Sequence, residues 1–143
     1  MRIPLEDSTK AKLTLHFGQR YPINHALKGK PHLGVDFTPI LKGESLVVVA
    51  PCASVVIRAG YAPNFGYHVR LKDATGRIFI LGHLYATPIV KPGESLNEGC
   101  QIGWVRDHLH IEVRNSDVLP PPKNCRQNFM RLLREETSND NKC

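Results

Sequence analysis

The chain has 143 residues, which is enough for one domain with a hydrophobic core and too few for two comfortable ones. Hydrophobic residues make up 41% of it, and no apolar run approaches the roughly 20 residues that a membrane span needs. The net charge of +6 suits an anionic partner or serves solubility alone, because Lys and Arg are scattered rather than clustered.

The N-terminal part is polar and rich in turn residues. Residues 1–7 lack the apolar segment of a signal peptide, so we expect no secretory leader there. Residues 1–12 are expected to form an arm packed on the domain. Residues 13–17 alternate and predict a short strand that ends at Gly18. Residues 21–31 contain two prolines and a glycine, which indicates a loop.

The middle of the chain alternates between apolar strands and turn signals. Residues 46–50 form a β-branched run typical of a buried strand. Further strands are predicted at 54–60, 67–72, 77–84, 99–105 and 108–114, with a hairpin turn at 73–76. This pattern predicts an all-β fold of antiparallel sheets in a sandwich or open barrel.

The character of the sequence changes after three prolines at 120–122. Asn124 is predicted to cap a short helix in which Phe129, Leu132 and Leu133 share a face. From Thr137 onward the chain is polar, and we expect a disordered tail.

The cysteines give no support for a thiolate metal site, because no two have the Cys-x-x-Cys spacing. Their even number permits disulfides, but free thiols in a reducing compartment are favoured. The four are Cys52, Cys100, Cys125 and Cys143.

Two distant pairs of polar residues suggest a metal site. His32 and Asp36 lie four residues apart, and His108 and His110 flank one leucine. Catalytic zinc takes three protein ligands of this N and O type and leaves a fourth position open. Two imidazoles and the carboxylate could therefore bind one ion, with one imidazole to spare.

The spacing within each pair predicts the local backbone. On a strand, His108 and His110 point to the same face. Four residues of extended chain span roughly 13 Å, too far for His32 and Asp36 to share an ion. Prolines and the β-branched Val35 disfavour a helix there, so we expect a bend at Gly34.

These motifs resemble the lysostaphin-type zinc endopeptidases, which cut peptide bridges in bacterial cell walls. The family carries His-x-x-x-Asp, a central histidine and a downstream His-x-His in this order. The central histidine is matched by His83 in Leu81-Gly82-His83-Leu84-Tyr85, and the lead-in by Phe17-Gly18-x-Arg20. The resemblance extends from Phe17 to about Arg114.

The resemblance implies a function and a role for each histidine. His32, Asp36 and His110 would bind one Zn²⁺ per chain, and His83 and His108 would form the catalytic pair. Residues 1–122 would be a single zinc-peptidase domain with the site in a groove, followed by the helix and tail at 123–143. The substrate would be peptidoglycan peptides, with no nucleic-acid partner and no membrane span. If such an enzyme meets a cell wall without a leader, something else must deliver it, as for a phage-type lysin or a virion-borne component; a leader that has been removed would fit as well.

The residues themselves support the same chemistry. Zinc polarises a carbonyl, and an imidazole with a pKa near 6.5 can take a proton from water or give one to a leaving amine. Glu112 shares the histidine face of a regular strand. It either orients an imidazole or is a solvated strand residue. For Arg20, structural packing is favoured over substrate contact.

The chain departs from the family pattern before His108. A loop rich in Gly, Ser and Thr normally leads into His-x-His and walls the groove, whereas residues 103–107 run almost straight there. We expect a more open groove, or Trp104 as its wall. The chain also has Gly66-Tyr67 where the family often has a Tyr-Gly-Asn turn. The sequence leaves open whether polyglycine bridges or D-alanyl to diamino-acid links are cut.

Three other functions compete with a hydrolase. A wall-binding or hydrolase-activating module of the same fold would generally lack some ligands, and here all are present. A phosphocarrier domain with two facing histidines leaves His32 and Asp36 unexplained. A nucleic-acid binder is suggested by charge alone, and aromatic residues are just 7% of the chain.

Overall fold

The computed structural model describes residues 1–115 and 125–140. A short 3₁₀ turn spans Ser8–Lys10, and the described part of the chain has ten strands and one helix. In chain order these are β1 (Ala11–Leu15), β2 (Val35–Pro39), β3 (Leu46–Val49), β4 (Ser54–Ala62), β5 (Gly66–Lys72), β6 (Ile78–Leu84), β7 (Ser95–Leu96), β8 (Gln101–Val105), β9 (Leu109–Arg114), β10 (Arg126–Gln127) and α1 (Phe129–Asp140).

The strands form two antiparallel sheets. The larger has the order β1-β2-β9-β6-β5-β4-β7, with β10 also paired to β9, and the smaller pairs β3 with β8. The described strands form no closed barrel. The predicted all-β fold of antiparallel sheets with a short C-terminal helix is confirmed.

One face of the large sheet and the inner face of β3 and β8 enclose the core. Val48 and Ile102 of the small sheet and Leu71, Leu81 and Ile111 of the large one are fully buried. Such burial supplies most of the stability of a domain of this size. The N-terminal arm packs as predicted, with Leu5 buried and bridged to Val48.

The C-terminal helix differs from the prediction at both ends. Asn124 lies outside the described residues, and Asn128 caps the helix by accepting a hydrogen bond from the backbone N–H of Met130 at 3.1 Å. Phe129 is buried against Phe79, with ring centroids 6.5 Å apart. The helix continues to Asp140 and so includes four residues that the sequence assigned to the tail. The helix is anchored by its contact with the sheet, and the composition of the segment alone does not predict such a contact.

The described cysteines, Cys52, Cys100 and Cys125, are free thiols, and Cys143 lies outside the described residues. Among residues 1–115 and 125–140, no helix has the length and apolar character needed to cross a bilayer.

The centre of the large sheet brings the sequence motifs together. Asp36 of β2 pairs with His110 of β9, and His110 pairs on its other side with Gly82 of β6. The sequence predicts a bend at Gly34 but not the strand β2 that follows this bend. This strand carries Asp36 into the sheet immediately after the predicted bend at Gly34.

Gly34 is required by close contact rather than by an unusual φ. A Cβ there would lie 2.3 Å from the backbone oxygen of Ile111 and 2.9 Å from the His110 ring. We expect Gly34→Ala to lower the free energy of unfolding by about 1–3 kcal/mol, the usual cost of overpacking, and to displace His110.

Thermal denaturation of the variant, measured beside Gly103→Ala, checks this expectation. Gly103 is the matched control because a Cβ there meets its nearest neighbour at 3.6 Å, an ordinary contact. Equal melting temperatures for the two variants would contradict it.

Candidate metal centre

Three side chains place a potential ligand atom at one point. The Nε2 of His32 lies 3.1 Å from the Nδ1 of His110 and 3.1 Å from an Asp36 oxygen. The Asp36 oxygen lies 2.9 Å from the same Nδ1. Of the described residues, these three form the one cluster of ligand type. The three predicted ligands therefore lie together, and the bend between His32 and Asp36 brings these two side chains to the same point.

A hydrogen bond on the far side of each imidazole ring directs the nitrogen that could bind a metal toward the cluster. The Nδ1–H of His32 is directed at the backbone oxygen of His16 at 3.3 Å, which leaves its Nε2 free to coordinate. The Nε2 of His110 lies 3.2 Å from a carboxylate oxygen of Glu112, so this nitrogen donates and Nδ1 is left as the ligand. Histidines that bind metals are commonly oriented in this way.

The candidate ligands are largely buried, and their hydrogen bonds and charges shift the pKa values of His110 and Asp36. The His32 side chain is 0% exposed and that of His110 is 9% exposed. Burial alone would lower the pKa of His110, but hydrogen bonds to Asp36 and Glu112 outweigh it and raise that pKa to about 9. Burial would raise the pKa of Asp36, but hydrogen bonds from His110 and His32 hold it well below its usual range.

This donor set fits a zinc ion. Three potential ligand atoms about 3 Å from one another are close enough for all of them to contact a single ion at the usual zinc distances of about 2.0–2.2 Å. Two imidazoles and one carboxylate are a set found at catalytic zinc, where a further position stays open. Because the pKa of His110 is raised, a proton on this imidazole competes with a metal ion for the site.

His83 stands beside this cluster in a strained backbone conformation. Its φ is +63°, and in the part of the chain that the structure describes it is the one residue other than glycine with positive φ. The register of β5 and β6 shifts at this point, because Tyr67 pairs with Leu84 but Val69 pairs with Leu81. This bulge directs the ring into the groove, as bulges beside functional sites often do.

The rings of His83 and His108 lie against each other and line the groove. Their ring centroids are 4.6 Å apart, and the His83 ring is 6.0 Å from that of His110. Burial, together with the charges of His108 and His110, lowers the pKa of His83 to about 4, so this imidazole is neutral at physiological pH. The Nδ1 of His108 lies 2.9 Å from a carboxylate oxygen of Asp107, a partner that the sequence did not indicate.

Comparison with known proteins identifies the family to which this chain belongs. The sequence profile of peptidase family M23 matches residues 30–122, which include all five predicted site residues. The chain belongs to peptidase family M23. The predicted resemblance to lysostaphin-type peptidases is thereby confirmed.

Solved structures agree with this assignment of an M23 fold. The catalytic domain of the antimicrobial peptidase lysostaphin from Staphylococcus simulans superposes with a TM-score of 0.70 at 26% identity, covering 89% of this chain and 95% of that one. A zinc-containing peptidase from Vibrio cholerae matches at 24% identity and a TM-score of 0.63, over 78% of this chain and 36% of that one. A chain of the SpoIIIAH–SpoIIQ complex matches at 19% identity and 0.70, over 90% and 96%. The last two show the fold alone.

The groove of this M23 domain has a volume of about 490 Å³. Tyr21 and His25, stacked with ring centroids 4.3 Å apart, line one wall, and Tyr21 also stands edge-on to His32. Burial and the charges of Asp36 and Glu112 raise the pKa of Tyr21, so its hydroxyl stays protonated. His25 is exposed and lines the groove.

Trp104 does not replace the shortened loop. It lies on β8, paired with Val47 of the small sheet, and does not line the groove. The residues that follow it provide the wall instead, because the guanidinium of Arg106 lies 3.8 Å from the centroid of Tyr85 beside His108. Arg20 contacts the backbone oxygen of Gly29 within the loop, in keeping with the favoured packing role.

Glu112 is buried rather than solvated, since it is only 2% exposed. Because it accepts from the Nε2 of His110, we expect Glu112→Gln to weaken zinc affinity about 10- to 100-fold, the usual effect of losing such a carboxylate. Competition with a chromogenic chelator measures the affinity. Glu135→Gln, an exposed change on α1, is the control. Unchanged zinc affinity in Glu112→Gln would contradict the orienting role.

Proposed function

We propose that this chain is a zinc-dependent metalloendopeptidase that hydrolyses peptide cross-bridges of bacterial peptidoglycan. The observation that supports this most is the convergence of His32, Asp36 and His110 with a neutral His83 and a carboxylate-paired His108 beside them. Metal ligands alone would suit a structural site. A second pair of imidazoles facing an open groove provides the proton-transfer groups that hydrolysis needs.

The positions of the side chains support one role for each residue. His32, Asp36 and His110 would hold zinc, which supplies Lewis-acid polarisation of the scissile carbonyl. His83, neutral at physiological pH, accepts a proton from the attacking water as the oxygen bonds to the carbonyl carbon. Protonated His108, held by Asp107, donates a hydrogen bond to the developing oxyanion and then its proton to the leaving amine as the C–N bond breaks. The proton that His83 took from water then replaces the one that His108 lost, which restores both imidazoles.

A wall-binding or hydrolase-activating module of the same fold is the alternative. The backbone strain at His83 favours the enzyme, because a pure binding site gains nothing from holding an imidazole at a φ of +63°. A setting such as a phage lysin or a virion-borne component would suit the activity proposed here.

The experiment is the release of new amino groups from purified peptidoglycan. Zinc-loaded protein is compared with chelator-treated protein and with His83→Asn, which tolerates positive φ but cannot take the proton. Release that disappears in both comparisons supports the enzyme, and mass spectrometry of the fragments then names the bond. Wall binding without release in the zinc-loaded protein would favour the binding module.

A further inference from the structure

Phe65 lies on the face of the large sheet that carries the candidate metal centre. It belongs to the turn between β4 and β5, and it is half-buried and lines the groove. It packs directly on Gly82, because a Cβ at that glycine would lie 3.4 Å from the Cβ, the Cδ1 and the backbone oxygen of Phe65. Gly82 pairs with His110 of the neighbouring strand and precedes His83 in the chain. The absence of a side chain at Gly82 therefore lets Phe65 approach both histidines.

The ring of Phe65 packs against the imidazole of His110. The two ring centroids are 5.9 Å apart, and the ring planes are inclined by 31°. Hydrogen bonds to Asp36 and Glu112 hold the two nitrogens of His110. Such bonds act in the plane of the imidazole and resist a tilt of the ring out of that plane only weakly. A packed aromatic ring opposes this tilt, so the Nδ1 of His110 keeps its direction toward the other candidate ligands.

The backbone of Phe65 holds His83. The N–H of His83 donates a hydrogen bond to the backbone oxygen of Phe65 at 2.7 Å. This bond lies where the register of β5 and β6 shifts, and its donor is the residue with a φ of +63°. A residue keeps such a conformation only where the surrounding structure fixes it. The bond from the turn is one of the contacts that fix the backbone of His83.

Phe65 is itself held by two side chains of β5. The ring of His68, which is buried, lies 5.7 Å from that of Phe65, and the guanidinium carbon of Arg70 lies 5.8 Å from the Phe65 centroid. The Nδ1–H of His68 also donates to the backbone oxygen of Gly66 at 3.1 Å. The ring thus joins the turn to the sheet, and its removal would loosen the turn that holds His83.

We propose that Phe65 is a positioning residue for the candidate centre. Its ring holds the imidazole of His110, and the turn that this ring anchors holds His83. The effect on the reaction rests on the proposed endopeptidase function, whereas the effects on zinc affinity and on the His83 amide do not. Because misplacing a group near the chemistry by a fraction of its length can cost a large factor in rate, a contact of this kind matters to catalysis.

Amide hydrogen exchange in the metal-free protein tests the link to His83. In Phe65→Ala the His83 amide is expected to exchange about tenfold faster relative to the amide of Leu81, which lies inside β6 and serves as an internal reference. Leu132→Ala, which truncates a half-buried side chain packed against the core from α1, is the matched control. It should leave this ratio unchanged. An unchanged ratio in Phe65→Ala would overturn the proposal.

Zinc affinity, measured by competition with a chelator, tests the link to His110. Phe65→Ala is expected to weaken it about tenfold, the lower end of the effect of losing a group that orients a ligand. Phe65→Tyr keeps the ring and should keep the affinity. Phe65→Leu keeps an apolar contact with Gly82 without the ring, and it replaces Phe65→Ala if that variant does not fold. Co²⁺ bound in place of zinc should show an altered visible spectrum in the variants that lack the ring. Unmodified affinity and an unmodified spectrum in those variants would overturn the role of the ring.

Steady-state kinetics on a soluble cross-link peptide distinguish positioning from a simple wall of the groove. At saturating zinc, Phe65→Ala is expected to lower kcat about 10²-fold, a larger change than in KM, and Phe65→Tyr should restore most of the loss. Leu132→Ala should leave kcat unchanged. A change confined to KM would make Phe65 a wall of the groove and overturn the proposal. If the unmodified protein cuts no peptide while the exchange and affinity results hold, the endopeptidase proposal fails and the positioning role stands.

Discussion

Replacing Asp36 with alanine is expected to remove zinc binding and to lower peptide hydrolysis about 10³-fold or more. Asp36 supplies the carboxylate of the candidate site and, in the metal-free protein, contacts both His32 and His110. Its loss leaves two imidazoles without the anion that completes the ligand set. Metal catalysis stabilises the charge of a transition state by several kcal/mol, which sets the size of the effect.

The measurement is zinc content by atomic absorption beside the rate of amino-group release. Thr38→Ala is the matched control because Thr38 lies on the same face of β2 and bonds to Thr14 rather than to the cluster. Circular dichroism should show that both variants keep the sheet. One zinc per chain and normal hydrolysis in Asp36→Ala would contradict its assignment as a ligand.

Replacing His83 with asparagine is expected to lower kcat about 10²- to 10⁴-fold while zinc content and substrate binding stay unchanged. The range is that of general acid–base catalysis by one positioned side chain. Asparagine is preferred to alanine because His83 has a φ of +63°, which asparagine tolerates better. The variant therefore removes the proton acceptor with little change in backbone strain.

The control for this variant is His16→Asn, since the His16 side chain is exposed and only its backbone oxygen contacts the site. Steady-state kinetics on a soluble cross-link peptide separate kcat from KM. A loss that appears in KM alone, or with a parallel loss of zinc, would show that His83 does not transfer the proton.

Local pattern was sufficient to predict most strands. Residues 46–50, 54–60, 67–72 and 77–84 alternate or run apolar between turn signals, and each contains or closely matches an observed strand. The pattern does not predict β2, because the metal motif occupies the start of this strand and Pro39 its end. The two-residue strands β7 and β10 are too short to carry any period.

The candidate metal ligands were predictable because their spacing has a chemical meaning, but their surroundings were not. Asp107 contacts His108 from the adjacent position, which a sequence cannot distinguish from an ordinary solvated loop residue. Arg126 reaches Glu112 only because β10 pairs with β9, and that pairing links residues separated by a proline-rich segment. Tyr21 lines the groove because of the path that its loop takes, and no periodicity in the sequence predicts that path.

The division of the chain into a domain at 1–122 and a C-terminal segment stays a prediction. The contacts of Phe129 with Phe79 and of Arg77 with Glu136 tie α1 to the sheet. Removal of the helix therefore exposes a buried aromatic ring, and the segment is expected to contribute to stability rather than to act as an independent tail.

Titration of zinc into metal-free protein, with amino-group release from peptidoglycan followed at each addition, tests the central claim most directly. We expect hydrolysis to start from near zero and to rise linearly until one zinc is bound per chain. The same titration of His83→Asn should reach one zinc per chain with almost no release. Hydrolysis that proceeds in the metal-free protein, or that is retained in His83→Asn, would contradict a zinc endopeptidase built on this site.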